Sequence, residues 1–468
     1  MVPRDFSAFS AVKDFYREGS QSKTSWLSMK KTSIKRASAT TSKARKSSAA
    51  PTCKVAIVGF GTVGSSVARI LSERGLAGLQ LTHVCNRNVS RKKVNWLPED
   101  VHWTDDFNDI LKSEVDVVVE VIGGLKPAGE WIRKALAAGK SVVTANKQLI
   151  SRSGPELEEL ARQHHCHIVF GASVAGGVPV ISGLEEGLAG DELFRIYGIL
   201  NGTCNYILSQ IEAAGVSFAE ALAEAQKLGF AEADPTEDVD GLDARAKLAI
   251  LARMGLHSSA SPEQILARSI SPISALDFNY ARYLDCTIRQ ISWAQLENDH
   301  LFAAVQPALV GLMSPLARVE GSRNLVTATG KFGGETVFGG HGAGGNPTAV
   351  AIVSDIIAIA RSQRGERNGL AHIPETAHPI SADFTTRHYL RFMVDDRPGI
   401  IASIATILSE YAINIDSVLQ KPGYSKTSLP FVITLEACKA SLVDKALGQI
   451  GQLDFLVEPC LHLPIVDE

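Results

Sequence analysis

A buried strand that runs through a glycine-rich turn into a helix constrains this chain more than any other feature. Residues 54–75 read KVAIVGFGTVGSSVARILSERG, in which four apolar residues precede GxGxxG and apolar residues at helical spacing continue to a final glycine. In that context the glycines allow a tight turn, close approach of a pyrophosphate, and packing of helix on strand. The segment predicts a dinucleotide-binding α/β domain with phosphates at the helix N-terminus. The candidate contacts are Phe60, Gly61, Thr62, Val63 and Gly64. The alternative is a glycine turn that binds no nucleotide.

The end of the second predicted strand bears on the choice of nucleotide. A site that prefers NAD usually has Asp or Glu there for the ribose 2′-hydroxyl. This chain instead has Asn86-Arg87, followed by the basic residues Arg91, Lys92 and Lys93. We therefore expect NADP rather than NAD, with Arg87 nearest the 2′-phosphate. A solvated basic loop remains the alternative.

Two further strands end in polar or glycine residues. DVVVEVIGG (116–124) ends at a glycine pair that includes Gly123, and SVVTANKQLI (141–150) reaches Lys147 after its apolar part. The helix predicted between them gives a βαβ alternation, so both ends lie at one edge of a parallel sheet, where ligands bind. A lysine in this position is either an ordinary surface residue or part of the site.

An acidic stretch, EADPTEDVDGLDARAK (232–247), leads into an apolar helix. Asp243 and Lys247 are four residues apart and share one helical face. Lys247 is followed at once by Leu-Ala-Ile-Leu, and a lysine held against apolar surface beside carboxylates is a candidate proton donor. The alternative is a solvated acidic loop with one surface ion pair.

The rest of the chain supplies recognisable elements. Ser217 and Glu220 predict a capping box, and strand-like runs from 284 to 340 predict a mixed or antiparallel sheet. A second glycine turn at 339–345 leads into a helix, with Asn346 predicted as N-cap and Pro347 as the first helical residue. The last segment follows a β-α-β-β-α-β order, which predicts a small ferredoxin-like domain.

Composition excludes several classes of protein. The 468-residue chain has a net charge of -3, with 45% hydrophobic and 21% charged residues, which gives no sign of nucleic-acid binding. No run of eighteen apolar residues predicts a membrane span. The seven scattered cysteines favour reduced thiols in the cytoplasm. Residues 1–50 are rich in Ser, Lys and Arg, which is typical of a transit peptide for an organellar stroma. The alternatives are a start site assigned too far upstream and a tail without a role.

Taken together, these motifs resemble those of homoserine dehydrogenase over residues 52–468. The matching stretches are GFGTVG, VVEVIGG, GKSVVTANKQLI, ASVAGGVP, NGTCNYIL, LGFAEADPTEDVDGLDARAK and GAGGNPTA, and DRPGIIASIATIL with INIDSV resembles an ACT domain. The resemblance implies an α/β chain with three domains. These are a Rossmann-like NAD(P)-binding domain (52–185), an α+β catalytic and dimerisation domain (186–338) and a ferredoxin-like ACT regulatory domain (387–468). The remaining segments are a disordered basic tail (1–51), a glycine turn and helix that return to the nucleotide domain (339–362), and a linker (363–386).

The family reduces L-aspartate 4-semialdehyde to L-homoserine with NAD(P)H, on the path to threonine, methionine and isoleucine. The resemblance implies that Lys247 is the acid/base group, with Lys147 and Asp243 beside it. It implies that Glu232, Asp238 and Asp243 bind substrate, and that Gly229 and Gly342 contact the cofactor.

A monovalent cation, Na⁺ or K⁺, is implied on the main-chain oxygens of Val174, Gly176 and Val178. The family usually has Glu where Gly171 stands, so that position departs from the pattern, as does Cys204 in place of the usual Thr. The resemblance favours a homodimer or homotetramer with threonine as effector. The alternatives are an amino-acid sensor that has lost catalysis and another NADP-dependent reductase of amino-acid aldehydes.

Overall fold

The computed structural model describes residues 52–364 and 375–466, so the whole predicted basic tail (1–51) and residues 365–374 of the predicted linker lie outside the described residues. The strands are β1 (Cys53–Val58), β2 (Leu79–Cys85), β3 (His102–Thr104), β4 (Val117–Glu120), β5 (Ser141–Thr144), β6 (Ile168–Val169), β7 (Leu193–Ile199), β8 (Ser258–Ser259), β9 (Leu266–Ala267), β10 (Cys286–Glu297), β11 (His300–Gly311), β12 (Arg323–Gly330), β13 (Gly334–His341), β14 (Thr376–Ala377), β15 (Ile380–Ser381), β16 (Thr385–Val394), β17 (Ile415–Gln420), β18 (Leu429–Lys439) and β19 (Leu461–Val466).

The α-helices are α1 (Thr62–Arg74), α2 (Val89–Lys92), α3 (Phe107–Lys112), α4 (Ala128–Ala137), α5 (Lys147–Gln163), α6 (Val180–Ser182), α7 (Gly202–Ala214), α8 (Phe218–Lys227), α9 (Thr236–Val239), α10 (Leu242–Leu256), α11 (Ala275–Ala281), α12 (Gly345–Gln363), α13 (Ile400–Glu410) and α14 (Ala440–Ile450). Among the described residues, no helix combines the length and apolarity that crossing a membrane requires.

The first sheet is parallel and has the strand order β3-β2-β1-β4-β5-β6. This order reverses between β1 and β4, which is where a doubly wound α/β sheet forms its ligand crevice. Strands β4 and β5 are buried along their whole length, as expected for a sheet covered by helices on both faces. The predicted Rossmann-like fold is therefore confirmed.

Helix α12 packs on this domain although it lies far along the chain. Its buried residues share one core cluster with those of β1 and α1. The prediction of Asn346 as N-cap was wrong, because the helix already begins at Gly345. Gly344, at φ 118°, allows the earlier entry, and Pro347 is tolerated because the first-turn N–H groups have no intrahelical partner.

The second sheet is mixed and has the order β13-β12-β7-β10-β11-β19-β16-β18-β17. The last four strands, with α13 and α14, form the predicted ferredoxin-like ACT domain. Its final strand, β19, pairs in parallel with β11, at Leu309–Ile465 and Val310–Val466. The sheet of the ACT domain is thus continuous with the catalytic sheet through two paired residues on each strand.

Helix α10 lies between the two sheets. Most of its residues are buried, and Gly241 precedes it with φ 77°. Arg253 joins it to α5 of the nucleotide domain, since its guanidinium donates to Glu158 at 2.6 Å. A Cβ at Gly154 of α5 would lie 2.7 Å from that guanidinium, so glycine there permits the close contact. The helix that carries Asp243 and Lys247 is therefore held firmly against the nucleotide domain.

Candidate active site

Two lysines from different domains converge on one buried carboxylate. Lys147 is the first residue of α5, directly beyond β5, and its Nζ lies 2.8 Å from Oδ1 of Asp243. Lys247, on α10, places its Nζ 2.7 Å from Oδ2 of the same carboxylate. The Asp243 side chain is only 6% exposed, against 34% for Lys147 and 13% for Lys247. Lys147 is therefore paired within a partly buried charge cluster and is not an ordinary surface residue.

The turn between β7 and α7 completes this network. Asn201 donates from Nδ2 to Asp243 at 2.9 Å and to Asp238 at 2.7 Å, while its Oδ1 accepts from the Cys204 N–H. Lys247 also donates to the Leu200 carbonyl at 2.9 Å. An ammonium group has three donors, so Lys247 keeps one for another acceptor. Asn201 was not among the sequence candidates, although its position before a helix is the signal of an N-cap.

The electrostatics keep Asp243 ionised. Burial alone would raise the pKa of Asp243, but the Lys247 and Lys147 ammonium groups lower that pKa well below its usual range. Burial would lower the pKa of Lys147, yet Asp243 raises it above the ordinary value. Asp238 differs, because burial raises its pKa even though Asn201 donates to it. A cation that arrives next to Asp238 would favour its ionised form.

The glycine turn after β1 is shaped for a nucleotide. Gly59, at φ 105°, lies against the end of β4, where a Cβ would be 2.9 Å from the Val121 carbonyl. A Cβ at Gly64 would lie 1.9 Å from the Gly59 carbonyl, so this glycine is required for packing. A Cβ at Gly61 would meet no atom within 4 Å, so the space beside it is open. The N–H groups that begin α1 at Thr62 and Val63 have no side-chain cap and remain available to a phosphate.

The neighbouring loops of the nucleotide domain are also fixed in place. Phe60 donates its N–H to Asn86, which precedes Arg87, and the Arg87 side chain is exposed at the carboxyl end of β2. Gly345 of α12 lies against the first turn of α1, where a Cβ would be 3.1 Å from the Thr62 carbonyl. The two helix N-termini are therefore adjacent at the predicted phosphate site.

Glu120 is a buried carboxylate that was not among the sequence candidates. Its hydrogen bonds fix the segment that carries Lys147. Glu120, at the end of β4, accepts from the Ile122 and Gly123 N–H groups through one oxygen and from Thr144 through the other. The Thr144 hydroxyl then accepts from the Asn146 N–H at 3.0 Å. This chain fixes the glycine pair after β4 and the N-terminus of α5 relative to each other.

The remaining sequence candidates lie around this centre. Glu232 is exposed on the loop between α8 and α9, and Gly229 has φ 77° in the turn before it. A Cβ at Gly342 would lie 1.6 Å from Oδ1 of Asn324, so that glycine is needed for packing. Cys204 is buried, and its thiol contacts the Asp238 carbonyl at 3.0 Å.

The segment predicted to hold a cation turns sharply beside the second glycine loop. Gly176 has φ 52°, and a Cβ there would lie 2.5 Å from the Gly342 carbonyl. The Val178 carbonyl accepts from Val180 and so keeps one lone pair. At Gly171 the space that a side chain would use is filled by Asp355 of α12, whose carboxylate accepts the Gly171 N–H at 3.0 Å. Among the described residues, no group of three or more His, Cys, Asp or Glu side chains forms a metal site.

Comparison with known proteins gives matches over most of the chain. Three family models match the chain: "Homoserine dehydrogenase, NAD binding domain" over residues 59–171, "Homoserine dehydrogenase" over 179–357 and "ACT domain" over 388–455. The homoserine dehydrogenase of Mycobacterium tuberculosis is 39% identical over 420 residues, which cover 86% of this chain and 94% of that protein.

Solved structures give the same result. The crystal structure of a homoserine dehydrogenase from Thiobacillus denitrificans matches with a TM-score of 0.82 and 33% identity, over 89% of this chain and 98% of that one. A hyperthermophilic archaeal homoserine dehydrogenase in complex with NADPH matches with a TM-score of 0.58 and 26% identity, over 68% of this chain and 100% of that one. The chain therefore belongs to the homoserine dehydrogenase family.

Proposed function

We propose that this chain reduces L-aspartate 4-semialdehyde to L-homoserine with NADPH, that Lys247 donates the proton, and that threonine acts on it through the ACT domain. The observation that carries the proposal is the position of the Lys147–Asp243–Lys247 cluster. One lysine comes from the carboxyl end of the parallel sheet, where a dinucleotide binds, and the other from the catalytic domain. A substrate in this crevice would lie between the cofactor and the cluster.

The residues support a simple reduction. When bound, the reduced nicotinamide supplies the hydride that adds to the aldehyde carbon. Negative charge then develops on the carbonyl oxygen, where the free donor of Lys247 stabilises it and delivers a proton. Lys147 adds a second positive charge that is held in place by Asp243. Asp238, beside Asn201, and the exposed Glu232 are available for the substrate ammonium group.

The basic loop after β2 favours NADPH over NADH. Arg87 is exposed just beyond the strand, and α2 carries Arg91 and Lys92 next to it. A 2′-phosphate at this edge would be matched by a guanidinium, which binds phosphate with two parallel hydrogen bonds. The archaeal relative that was solved with NADPH is consistent with this assignment.

A monovalent cation fits the turn at Val174, Gly176 and Val178 better than a divalent one. The donors there are neutral carbonyls, whereas a divalent ion usually takes several carboxylates. A carboxylate is nevertheless close to Gly171, because a Cβ there would lie 2.8 Å from Oδ1 of Asp355. We therefore propose that Asp355 supplies the negative charge for a bound Na⁺ or K⁺.

The test is NADPH oxidation with L-aspartate 4-semialdehyde by the parent chain and by Lys247→Met. We expect kcat to fall by about 10²–10⁴ in the variant, because a general acid contributes about that factor. NADPH binding, followed by fluorescence, should stay unchanged. Lys227→Met, on an exposed lysine of α8, is the matched control and should retain the parent rate.

Two results would contradict the proposal. Activity in Lys247→Met within threefold of the parent would remove that lysine as proton donor. A parent chain that binds NADPH but turns over no L-aspartate 4-semialdehyde would leave a sensor or a reductase of another aldehyde.

A further inference from the structure

The side chain of Asn86 occupies the position at which an NAD site carries its acid. Asn86 directly follows β2 and lies about 20 residues beyond the glycine turn, where Asp or Glu usually accepts a hydrogen bond from the ribose 2′-hydroxyl. An amide differs from an acid by one atom, but it has a donor where the acid has an acceptor. The contacts of Asn86 show which end of its amide is available to a cofactor.

The glycine turn already uses the acceptor of this amide. The Phe60 N–H donates to Oδ1 of Asn86 at 3.2 Å. The Asn86 N–H donates to the Thr104 carbonyl of β3 at 2.9 Å, and the Gly59 N–H donates to the Cys85 carbonyl at 2.9 Å. Asn86 is thus held by the glycine turn on one side and by β3 on the other. The amide orientation is fixed as well, because only its oxygen can accept from an N–H.

The other end of the amide is a donor without an acceptor. Asn86 is half-buried, and its Nδ2 donates to no atom of the residues that the structure describes. A phosphate oxygen is an acceptor and suits this NH₂ group. A ribose hydroxyl can also accept from it, but the proton of that hydroxyl then finds no acceptor on Asn86, since Oδ1 is taken by Phe60.

The loop beyond Asn86 is anchored on the same residue of the glycine turn. The Phe60 ring stacks on Trp96 with 6.3 Å between the centroids, and it meets Trp103 edge-on at 4.9 Å. On its other side, Trp96 lies 5.2 Å from the guanidinium of Arg69 on α1. The loop therefore starts and ends on Phe60, so the Asn86 amide and the glycine turn form one unit.

We propose that Asn86 determines the choice of cofactor, with Nδ2 donating to the 2′-phosphate of NADPH while Oδ1 stays on Phe60. The inference rests on the proposed function, because it takes NADPH as the ligand. It adds a second device to the charge of Arg87. A guanidinium attracts the 2′-phosphate, whereas the Asn86 amide also selects against the 2′-hydroxyl of NADH by offering it no acceptor.

A carboxylate at this position reverses the selection. Asp has the shape of Asn, so one of its oxygens can keep the bond to the Phe60 N–H. The other oxygen accepts from the 2′-hydroxyl of NADH and repels the 2′-phosphate of NADPH. Asn86→Asp is therefore expected to move the two affinities in opposite directions. Damage to the fold, or added negative charge alone, weakens both cofactors, because both carry the pyrophosphate.

The experiment is a fluorescence titration of the full chain with NADPH and with NADH, without substrate. The test variants are Asn86→Asp and Asn86→Leu, which keeps the approximate size but removes both donor and acceptor. Asn88→Asp is the matched control, because it adds the same charge two residues further on. Asn88 precedes α2, and its side chain makes no capping hydrogen bond within the described chain. Melting temperatures without cofactor show whether each variant keeps the parent fold.

We expect Asn86→Asp to raise the Kd for NADPH at least about tenfold, which corresponds to the loss of one charge-assisted hydrogen bond, and to lower the Kd for NADH. Its melting temperature should match the parent, because the bond to Phe60 is kept. Asn86→Leu should weaken NADPH without any gain for NADH. Asn88→Asp should change the ratio of the two Kd values by less than about threefold.

The proposal is overturned if Asn86→Asp shifts both Kd values in the same direction, or changes their ratio no more than Asn88→Asp does. If the parent binds NADH as tightly as NADPH and Asn86→Asp still moves the two apart, the Asn86 contact stands and the proposed NADPH preference fails. If the variants bind as expected but the parent does not reduce L-aspartate 4-semialdehyde, the proposed reaction fails and the role of Asn86 stands.

Discussion

Replacing Asp243 by Asn tests whether one buried carboxylate holds both lysines. The carboxylate accepts from Lys147 through one oxygen, and from Lys247 and Asn201 through the other. Asn keeps the shape but has one oxygen and one NH₂, so a donor would face a donor at one of these contacts. Asp243→Asn therefore leaves at least one ammonium group without its partner.

The size of the effect follows from the burial of the three groups. Removing one partner of a buried ion pair costs about 3–5 kcal/mol. Lys147 is one-third exposed and can turn towards water, so we expect the lower end, about 3 kcal/mol at pH 7. A domain stability of about 5–15 kcal/mol leaves the variant folded. We expect kcat to fall about 10²-fold or more, since the proton donor is no longer positioned.

The pH dependence of the free energy of unfolding gives a second, independent test of this carboxylate. The two lysines lower the pKa of Asp243 in the folded chain below its unfolded value of about 4. A carboxyl of this kind contributes stability above its unfolded pKa and loses it as the pH falls through the folded pKa. The gap in free energy of unfolding between parent and variant should therefore be constant from pH 5 to pH 8. It should narrow by about 1.4 kcal/mol for each pH unit below about 4.

The assay is urea unfolding followed by circular dichroism between pH 3 and pH 8, together with steady-state kinetics. Asp240→Asn, the same substitution three residues earlier, in the loop before α10, is the control and should stay close to the parent. A gap below about 1 kcal/mol at pH 7, or a kcat within threefold of the parent, would refute the role given to this carboxylate.

Three further tests concern the basic loop after β2, the glycine turn before α1 and the buried carboxyl of Asp355. Arg87→Gln removes a partner of the 2′-phosphate, so we expect the kcat/KM for NADPH, divided by the kcat/KM for NADH, to fall at least about tenfold. Arg91→Gln, one turn further on, is the control and should have less effect in the same assay. Gly61→Ala should keep the parent melting temperature but lose NADPH affinity in a fluorescence titration. Gly64→Ala should instead lower the melting temperature, because its Cβ would overlap a backbone carbonyl. In the absence of a bound cation, burial raises the pKa of Asp355 to about 7, above its unfolded value of about 4. The stability of the parent relative to Asp355→Asn should therefore fall as the pH rises from 4 to 7 in thermal unfolding without added Na⁺ or K⁺, and a bound cation should reduce that fall.

The parts of this fold that sequence predicts are those that short stretches determine. The glycine turn before α1 and the capping box of Ser217 and Glu220 each depend on residues within one or two turns, and both are present as predicted. The pairing of Asp243 with Lys247 is of the same kind, because helical spacing alone brings them together. The predicted start of α12 failed by two residues, since Gly344 allows an entry that residue preferences do not reveal.

The parts that no local pattern predicts depend on long-range packing, and only the family resemblance places Lys147 beside Asp243. Lys147 and Asp243 are 96 positions apart, and only the packing of α5 on α10 brings them within 2.8 Å of each other. Asn201 reaches the same carboxylate from a third segment.

The Asp243 cluster is also a contact between domains, and this limits how the enzyme can be regulated. Lys147 belongs to the nucleotide domain, while Asp243 and Lys247 belong to α10. Any movement that separates α5 from α10 removes a charge from the carboxylate that orients the proton donor. In the proposed mechanism, an effector that shifts the loop before α10 would change the rate without contacting the substrate.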